Sequence, residues 1–232
     1  MISNAGWERF SIWDHSAQVR ELYAKRCRRE AEEMTAHRQA AAILTPHVVA
    51  GDTVLDVGCG SGYLFHTLVG RRLGVEYYGI DASCALIEIG RDIMPNYGLA
   101  PERLMHVRIE DLDASVDHML CINVLSNIDN FHRPLERLLL GARKSVILRE
   151  SIADFSRYTY VEDRYLDPGV KLKVHVNTYS RDELEAFIRS YGYDVVFHVD
   201  EYSGGRPQDV IGHPHWWTFV EATRAQQRDG AG

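Results

Sequence analysis

The sequence predicts an α/β chain built on a doubly wound, mostly parallel sheet. Three observations predict it. Thr53-Val54-Leu55-Asp56-Val57 is a nearly continuous apolar run, the pattern of a parallel strand covered on both faces. It runs directly into Gly58-Cys59-Gly60-Ser61-Gly62 and then into a helical pattern at 63–68. Strand, glycine turn and helix together build a ligand crevice at the carboxyl end of a first strand. Short apolar runs then alternate with helical patterns down the chain.

The spacing of the glycines separates cofactors. A dinucleotide fingerprint needs G-x-G-x-x-G, and counted from Gly58 its third glycine falls on Tyr63. No Walker-type G-K-[ST] follows. The pattern is Asp-x-Gly-x-Gly-x-Gly, with Asp56 two residues before Gly58. A carboxylate there suits a cationic ammonium, which a phosphate loop would not want.

On the run Asp56-Val57-Gly58-Cys59-Gly60-Ser61-Gly62 the chain resembles the class I S-adenosylmethionine-dependent methyltransferases and matches their first motif in full. The resemblance covers about residues 45–224. It implies a seven-stranded sheet with an antiparallel last strand, S-adenosylmethionine as methyl donor and S-adenosylhomocysteine as product. It gives Asp56, Gly58, Cys59, Gly60 and Gly62 to the donor seat. Three alternatives stand beside it: a tight turn with no ligand, a nicotinamide-dependent oxidoreductase, and a non-catalytic S-adenosylmethionine-binding partner protein.

The bulk properties narrow the class. A chain of 232 residues suits one domain with an elaborated end. Its net charge of −7 argues against nucleic acid and against an acidic membrane surface. Cys27, Cys59, Cys84 and Cys121 are scattered, with no CxxC pair, and read as reduced thiols in a cytoplasmic setting. The N-terminus has no signal-peptide core. No apolar run approaches the length of a membrane span. The tail at 225–232 reads as polar and frayed.

Taken in order, residues 1–44 read as a helical lid segment. Trp7 and Trp13 need burial, either on the core or in a lid over donor and substrate of the kind the resemblance implies, with Trp13 then near the substrate. One helix is predicted over about 15–44, capped by Asp14 or Ser16, with its opposite face charged. Thr45-Pro46 reads as a helix start, and Gly51-Asp52 turns into the first strand.

The second strand, 75–81, ends on Asp81. A carboxylate there can accept two hydrogen bonds from ribose hydroxyls, or can cap the helix that follows. The resemblance places the donor's ribose at Asp81 and Ala82. The third strand is 104–109. Beyond it an acid is expected at the adenine, and the register admits either Glu110 or Asp111. The fourth strand, 117–125, brings Cys121 and Asn123 beside the sulfonium. Asn123 lacks the Pro-Pro-aromatic sequence that relatives methylating planar nitrogens carry after it. The fifth strand is 145–150.

Residues 151–179 depart from the alternation. Two short alternating runs flank Asp167-Pro168-Gly169, predicting a hairpin or loop inserted at the acceptor side. Its aromatics include Tyr158, Tyr160 and Tyr179, assigned to substrate contact, and a homodimer through it stays open. Ser180-Arg181-Asp182-Glu183 is a capping box. Strands at 195–199 and 216–221, joined by a loop, close the domain.

Methyl transfer from a sulfonium is an in-line displacement onto an oxygen or nitrogen of a small-molecule acceptor. The protein's task is alignment and exclusion of water. A base is needed only if the acceptor loses a proton. His175 is the candidate, with His213 and His215 behind it and His118 structural. His213-Pro214-His215 lacks a carboxylate partner, so no metal site is expected. Arg149 pairs with Glu150 or Asp111, or faces an anionic acceptor.

Overall fold

The computed structural model describes Gly6 and residues 9–225, so Trp7 and most of the polar tail lie outside the described residues. The elements run α1 (Ala17–Cys27), α2 (Thr35–Leu44), β1 (Thr53–Val57), α3 (Leu64–Gly70), β2 (Glu76–Asp81), α4 (Cys84–Ile93), β3 (Leu104–His106), β4 (Val116–Ile122), α5 (His132–Gly141) and β5 (Ala142–Ala153). They continue with β6 (Tyr160–Glu162), β7 (Lys173–His175), β8 (Tyr179–Ser180), α6 (Arg181–Ser190), β9 (Tyr193–Val199), β10 (Gln208–Val210), β11 (His213–His215) and β12 (Trp217–Arg224).

The main sheet runs β3-β2-β1-β4-β5-β12-β9, and β8 attaches to the far end of β5. β1 pairs in parallel with β2 on one side and β4 on the other, so the strand order reverses at β1. Ligands bind outside the carboxyl ends of the strands at such a reversal. β12 runs antiparallel to both β5 and β9, as the antiparallel last strand requires.

Alternation along the strands splits the core. Leu55, Val57, Met119, Val146 and Leu148 face one layer, closed by α5 and α6 through Phe131, Leu135, Leu138 and Leu184. Val54, Leu120, Ile147 and Phe219 face the other, closed by Leu44, Leu64, Leu68 and Ile87. Side chains of successive strand residues point to opposite faces, and both faces are covered. Burial decides the helices too. α3 has only 7 residues, too short to persist alone, and is held by buried Leu64 and Leu68; burying each contributes about 1.5–3 kcal/mol.

Three local readings are corrected. The single helix over 15–44 is two helices. α1 starts where Ser16 Oγ accepts the Val19 N–H, and it ends in a Schellman turn. There Glu30 N donates to Lys25 O at 2.8 Å, Arg29 N donates to Arg26 O at 3.1 Å, and Arg29 has φ 60°. Glycine normally fills that left-handed position, so the break left no glycine to read. The third strand stops at His106, and 109–111 form a 3-10 turn. The loop before the last strand contains the β10–β11 hairpin. The predicted insertion hairpin is present as β6–β7, and Ser180 Oγ caps α6 by accepting the Glu183 N–H.

Candidate active site

The site begins where β1 ends. Gly58, Gly60 and Gly62 all have positive φ, at 76°, 59° and 77°. All three are also crowded, since a Cβ on Gly62 would lie 2.6 Å from Leu104 Cδ2. A Cβ on Gly58 would lie 2.2 Å from Val124 Cγ2, and one on Gly60 would lie 2.1 Å from the Tyr23 ring. The turn is tied to β2 by Gly58 N and Cys59 N, which donate to Ile80 O at 2.8 and 2.9 Å. Asp81 completes the tie. Its Oδ2 accepts Gly60 N–H and its Oδ1 accepts Ser83 N–H, each at 2.7 Å. The helix-cap reading of Asp81 is thereby displaced, because Ser83 Oγ caps α4 through Leu86 N.

Two carboxyls, Asp56 and Asp81, lie at this turn. Asp56 is 4% exposed, and burial raises it from 3.8 to about 7, against the opposing hydroxyl bond from Tyr77. Burial raises Asp81 to about 6, opposed by its two backbone bonds. A buried carboxyl resists charging unless a cation or donor compensates. Tyr23, packed over Gly60, is pushed up to about 12, first by burial and then by Asp81. The seat therefore fits a ligand that carries positive charge and hydroxyl donors.

The turn opens into a cavity of about 1190 Å³ at the carboxyl ends of the strands. Asp56, Gly58, Cys59, Asp81, Ala82, Glu110, Asp111 and Asn123 are among its lining residues. Glu110 sits in the 3-10 turn and is half-buried beside Arg108 at 3.3 Å, whereas Asp111 is exposed. Trp13, Tyr160 and His175 line the same cavity. The Tyr160 and His175 rings stack with centroids 4.5 Å apart. Burial lowers His175 and Asp129 opposes that shift.

The roof joins residues 15–17 to the insertion at 165–167. Ser16 Oγ donates to Tyr165 O at 2.7 Å, Ala17 N to Asp167 Oδ1 at 2.8 Å, and Asp167 N to His15 O at 2.9 Å. Ile12, Val174 and Val176 form a small core of their own beneath these bonds, with Trp13, Val161 and Ile211 against it.

Several assigned residues lie elsewhere. Tyr179 is fully buried, and its hydroxyl donates to Leu125 O, so it is a core residue. Tyr158 is 50% exposed and lies outside the cavity wall. Cys121 is buried beneath the sheet's end, and Gly60 and Gly62 shape the turn from behind rather than lining the cavity. Arg149 is 4% exposed and is not among the cavity's lining residues; it pairs with neither Glu150 nor Asp111 but donates through Nε to Asp200 at 2.7 Å. Glu150 instead accepts Val124, Leu125 and Ser126 N–H at 3.0, 2.9 and 2.8 Å. His215 is buried, neither ring nitrogen has a hydrogen-bond partner among the described residues, and burial pushes it down to about 4. His118 is structural, bonded to Ser145 and Asp52.

Sequence reasoning missed Tyr23, Arg26, His37 and Trp217, all on the cavity wall. Tyr23 and Trp217 were visible only as apolar positions in a helix and a strand. His37 is stacked on Tyr63 at 4.7 Å and burial lowers it to about 3. Among the described residues there is no cluster of metal-ligating side chains, and no helix is long and apolar enough to cross a membrane.

With this geometry in place, comparison with known proteins is specific. A family model described as a methyltransferase domain matches residues 18–198. The demethylmenaquinone methyltransferase of Tropheryma whipplei (strain Twist) is 29% identical over 160 residues, covering 62% of this chain and 65% of that protein. The chain thus spans slightly under two thirds of that relative's length. The tRNA U34 carboxymethyltransferase of Marinobacter nauticus is 36% identical over 103 residues, covering 41% of this chain and 29% of the relative. Among solved structures, the magnesium protoporphyrin IX methyltransferase of Synechocystis PCC 6803 with bound S-adenosylhomocysteine shares the fold. Its TM-score is 0.62 at 14% identity, with 94% of this chain and 100% of that one covered. The nicotinamide alternative has no support in these matches. Because the family model spans most of the sequence, from α1 through β9, the chain belongs to the methyltransferase-domain family, the class I fold that takes its methyl group from S-adenosylmethionine.

Proposed function

We propose that the chain transfers a methyl group from S-adenosylmethionine to an oxygen or nitrogen of a small-molecule acceptor by in-line displacement. One observation carries the reading: the acidic glycine turn and the aromatic insertion open into one and the same cavity. S-adenosylmethionine, when bound, supplies a methyl group already activated by its sulfonium charge. The residues around it bind, align and keep water out. Asp81 and Ala82 take the ribose, Glu110 or Asp111 the adenine, and Asp56, Gly58 and Cys59 the amino-acid end. Trp13 and Tyr160 flank the acceptor. Burial lowers the affinity of His175 for a proton, which favours the neutral form that can take a proton from the acceptor.

The net charge of −7 supports a small molecule over an RNA acceptor, since phosphate contacts require clustered cations. The test is S-adenosylhomocysteine release across pooled metabolites, paired with calorimetry of donor binding. A chain that binds neither S-adenosylmethionine nor S-adenosylhomocysteine would falsify the reading.

A further inference from the structure

Asn123 follows β4 with φ 60°, a left-handed conformation that asparagine tolerates better than most residues with a side chain. Its backbone N–H donates to Arg149 O at 2.8 Å, and its carbonyl accepts from Asn127 Nδ2 at 2.8 Å. Its side-chain Oδ1 accepts from Arg149 Nη1 at 2.5 Å. A guanidinium has donors only, so the amide atom facing it must be the oxygen. The chemistry of the pair fixes the amide's orientation.

Arg149 is itself immobilised. Its Nε donates to Asp200 at 2.7 Å, and its guanidinium lies 4.4 Å from the centre of the Trp217 ring. Asp200 is fully buried and also accepts Ser203 N–H at 2.8 Å. Asp200, Arg149 and Asn123 thus form a line of contacts across the sheet's end. The far end of that line is Asn123 Nδ2, which has no protein partner among the described residues, on a side chain that lines the cavity. The adjoining Val124 packs so tightly on the glycine turn that a Cβ on Gly58 would come within 2.2 Å of it. Asn123 therefore stands at the boundary between donor seat and acceptor space.

We propose that the Asn123 amide N–H donates to the acceptor's reacting oxygen, so that this site takes a hydroxyl- or enol-bearing acceptor and rejects amines. The proposal rests on the methyl-transfer reading. A hydroxyl oxygen has two lone pairs, and one can accept from Asn123 while the other attacks. A neutral amine has a single lone pair and cannot do both; an ammonium has none and presents only donors. The oxygen forms its bond to the methyl carbon as the carbon–sulfur bond breaks with its electron pair on sulfur. The hydroxyl proton passes to the His175 imidazole or to water. Sites built to hydrogen-bond one group discriminate strongly against analogues that leave their buried donor unmet. Arg149 acts through Asn123 and is a positioning residue.

The experiment pairs a pool of hydroxylated metabolites with a pool of their amino counterparts and reads S-adenosylhomocysteine release. Turnover is expected from the hydroxyl pool alone. With the probe that is turned over, Asn123→Asp keeps an oxygen toward Arg149 but removes the N–H. It should lower kcat/KM at least about tenfold while S-adenosylhomocysteine affinity stays within about twofold. Arg149→Lys should lower kcat, with donor affinity kept. Turnover of the amino pool, or full activity of Asn123→Asp, overturns the proposal. So does turnover of neither pool by a chain that binds S-adenosylhomocysteine. A chain that fails to bind it sinks the methyl-transfer reading instead.

Discussion

Asp81 Oδ2 accepts the Gly60 N–H at 2.7 Å, so the carboxylate at the end of β2 and the turn after β1 hold each other in place. The same carboxylate takes Ser83 N–H through its other oxygen, which leaves lone pairs on both oxygens for hydroxyl donors. This end of the seat is therefore tied together by the chain's own hydrogen bonds.

Asp81→Ala should weaken S-adenosylhomocysteine binding about 10–100-fold, since a hydrogen bond to a charged group contributes ~1.5–3 kcal/mol. Calorimetry at pH 7.5 measures it. Unchanged affinity would remove Asp81 from the binding site.

The pH dependence of stability follows from Asp56. Folding raises its carboxyl from 3.8 to about 7. Between those values the folded chain binds more protons than the unfolded one, so this group's contribution to stability falls as pH rises through the window. Asp56→Asn stays neutral throughout. In the ligand-free state it should gain on the wild type by about 2–4 kcal/mol between pH 4 and 8, because each tenfold difference in proton affinity between the folded and unfolded chain corresponds to ~1.4 kcal/mol. Urea titrations of both proteins across that range decide it, and parallel curves would mean that Asp56 ionises normally.

Donor binding should run the other way. The ionised forms of Asp56 and Asp81 attract a sulfonium and an ammonium, and both carboxyls are raised in the free protein, to about 7 and 6. S-adenosylmethionine affinity should therefore climb as pH rises from 5.5 to 8, with S-adenosylhomocysteine climbing less. A flat profile for the cationic donor would show that neither carboxyl meets its charge.

His175→Ala should slow turnover by about 100-fold with a hydroxyl acceptor, the lower end of what a positioned base contributes. Donor affinity should not move. If the rate is untouched, water takes the proton.

Glu150 is a structural keystone for the turn after β4. Its carboxylate receives three backbone N–H groups and the Ser126 hydroxyl, the last at 2.7 Å. Glu150→Ala strands those buried donors and should cost about 3–5 kcal/mol, with each unmet donor costing ~1–3 kcal/mol. The midpoint of urea denaturation reports it, and a shift below about 1 kcal/mol would imply that water fills the gap.

What the sequence disclosed depended on whether a residue's role was local. The turn at 56–62 was legible because positive φ and close approach leave glycine little competition. The capping serines at 16 and 180 were legible because a cap and its partner lie within three residues. Arg149 was not, because its partner Asp200 is 51 residues away and nothing in either neighbourhood marks the pair. Tyr179 and Tyr160 looked equivalent in an aromatic stretch, yet one is buried in the core and the other is 54% exposed at the cavity. A pattern of aromatics does not say which side of a hairpin faces inward. The break after α1 escaped notice because Arg29, rather than glycine, occupies its left-handed position.

The bonds between Ser16 and Tyr165, and between Ala17 and Asp167, join segments about 150 residues apart. A chain emerging from the ribosome has made β1, the glycine turn and β2 long before the second half of that seam exists. It follows that ligand retention during synthesis should begin only after residue 167 has cleared the exit tunnel. Cutting the loop around 163–170 in the finished protein should then loosen the hold on both reactants in a single step.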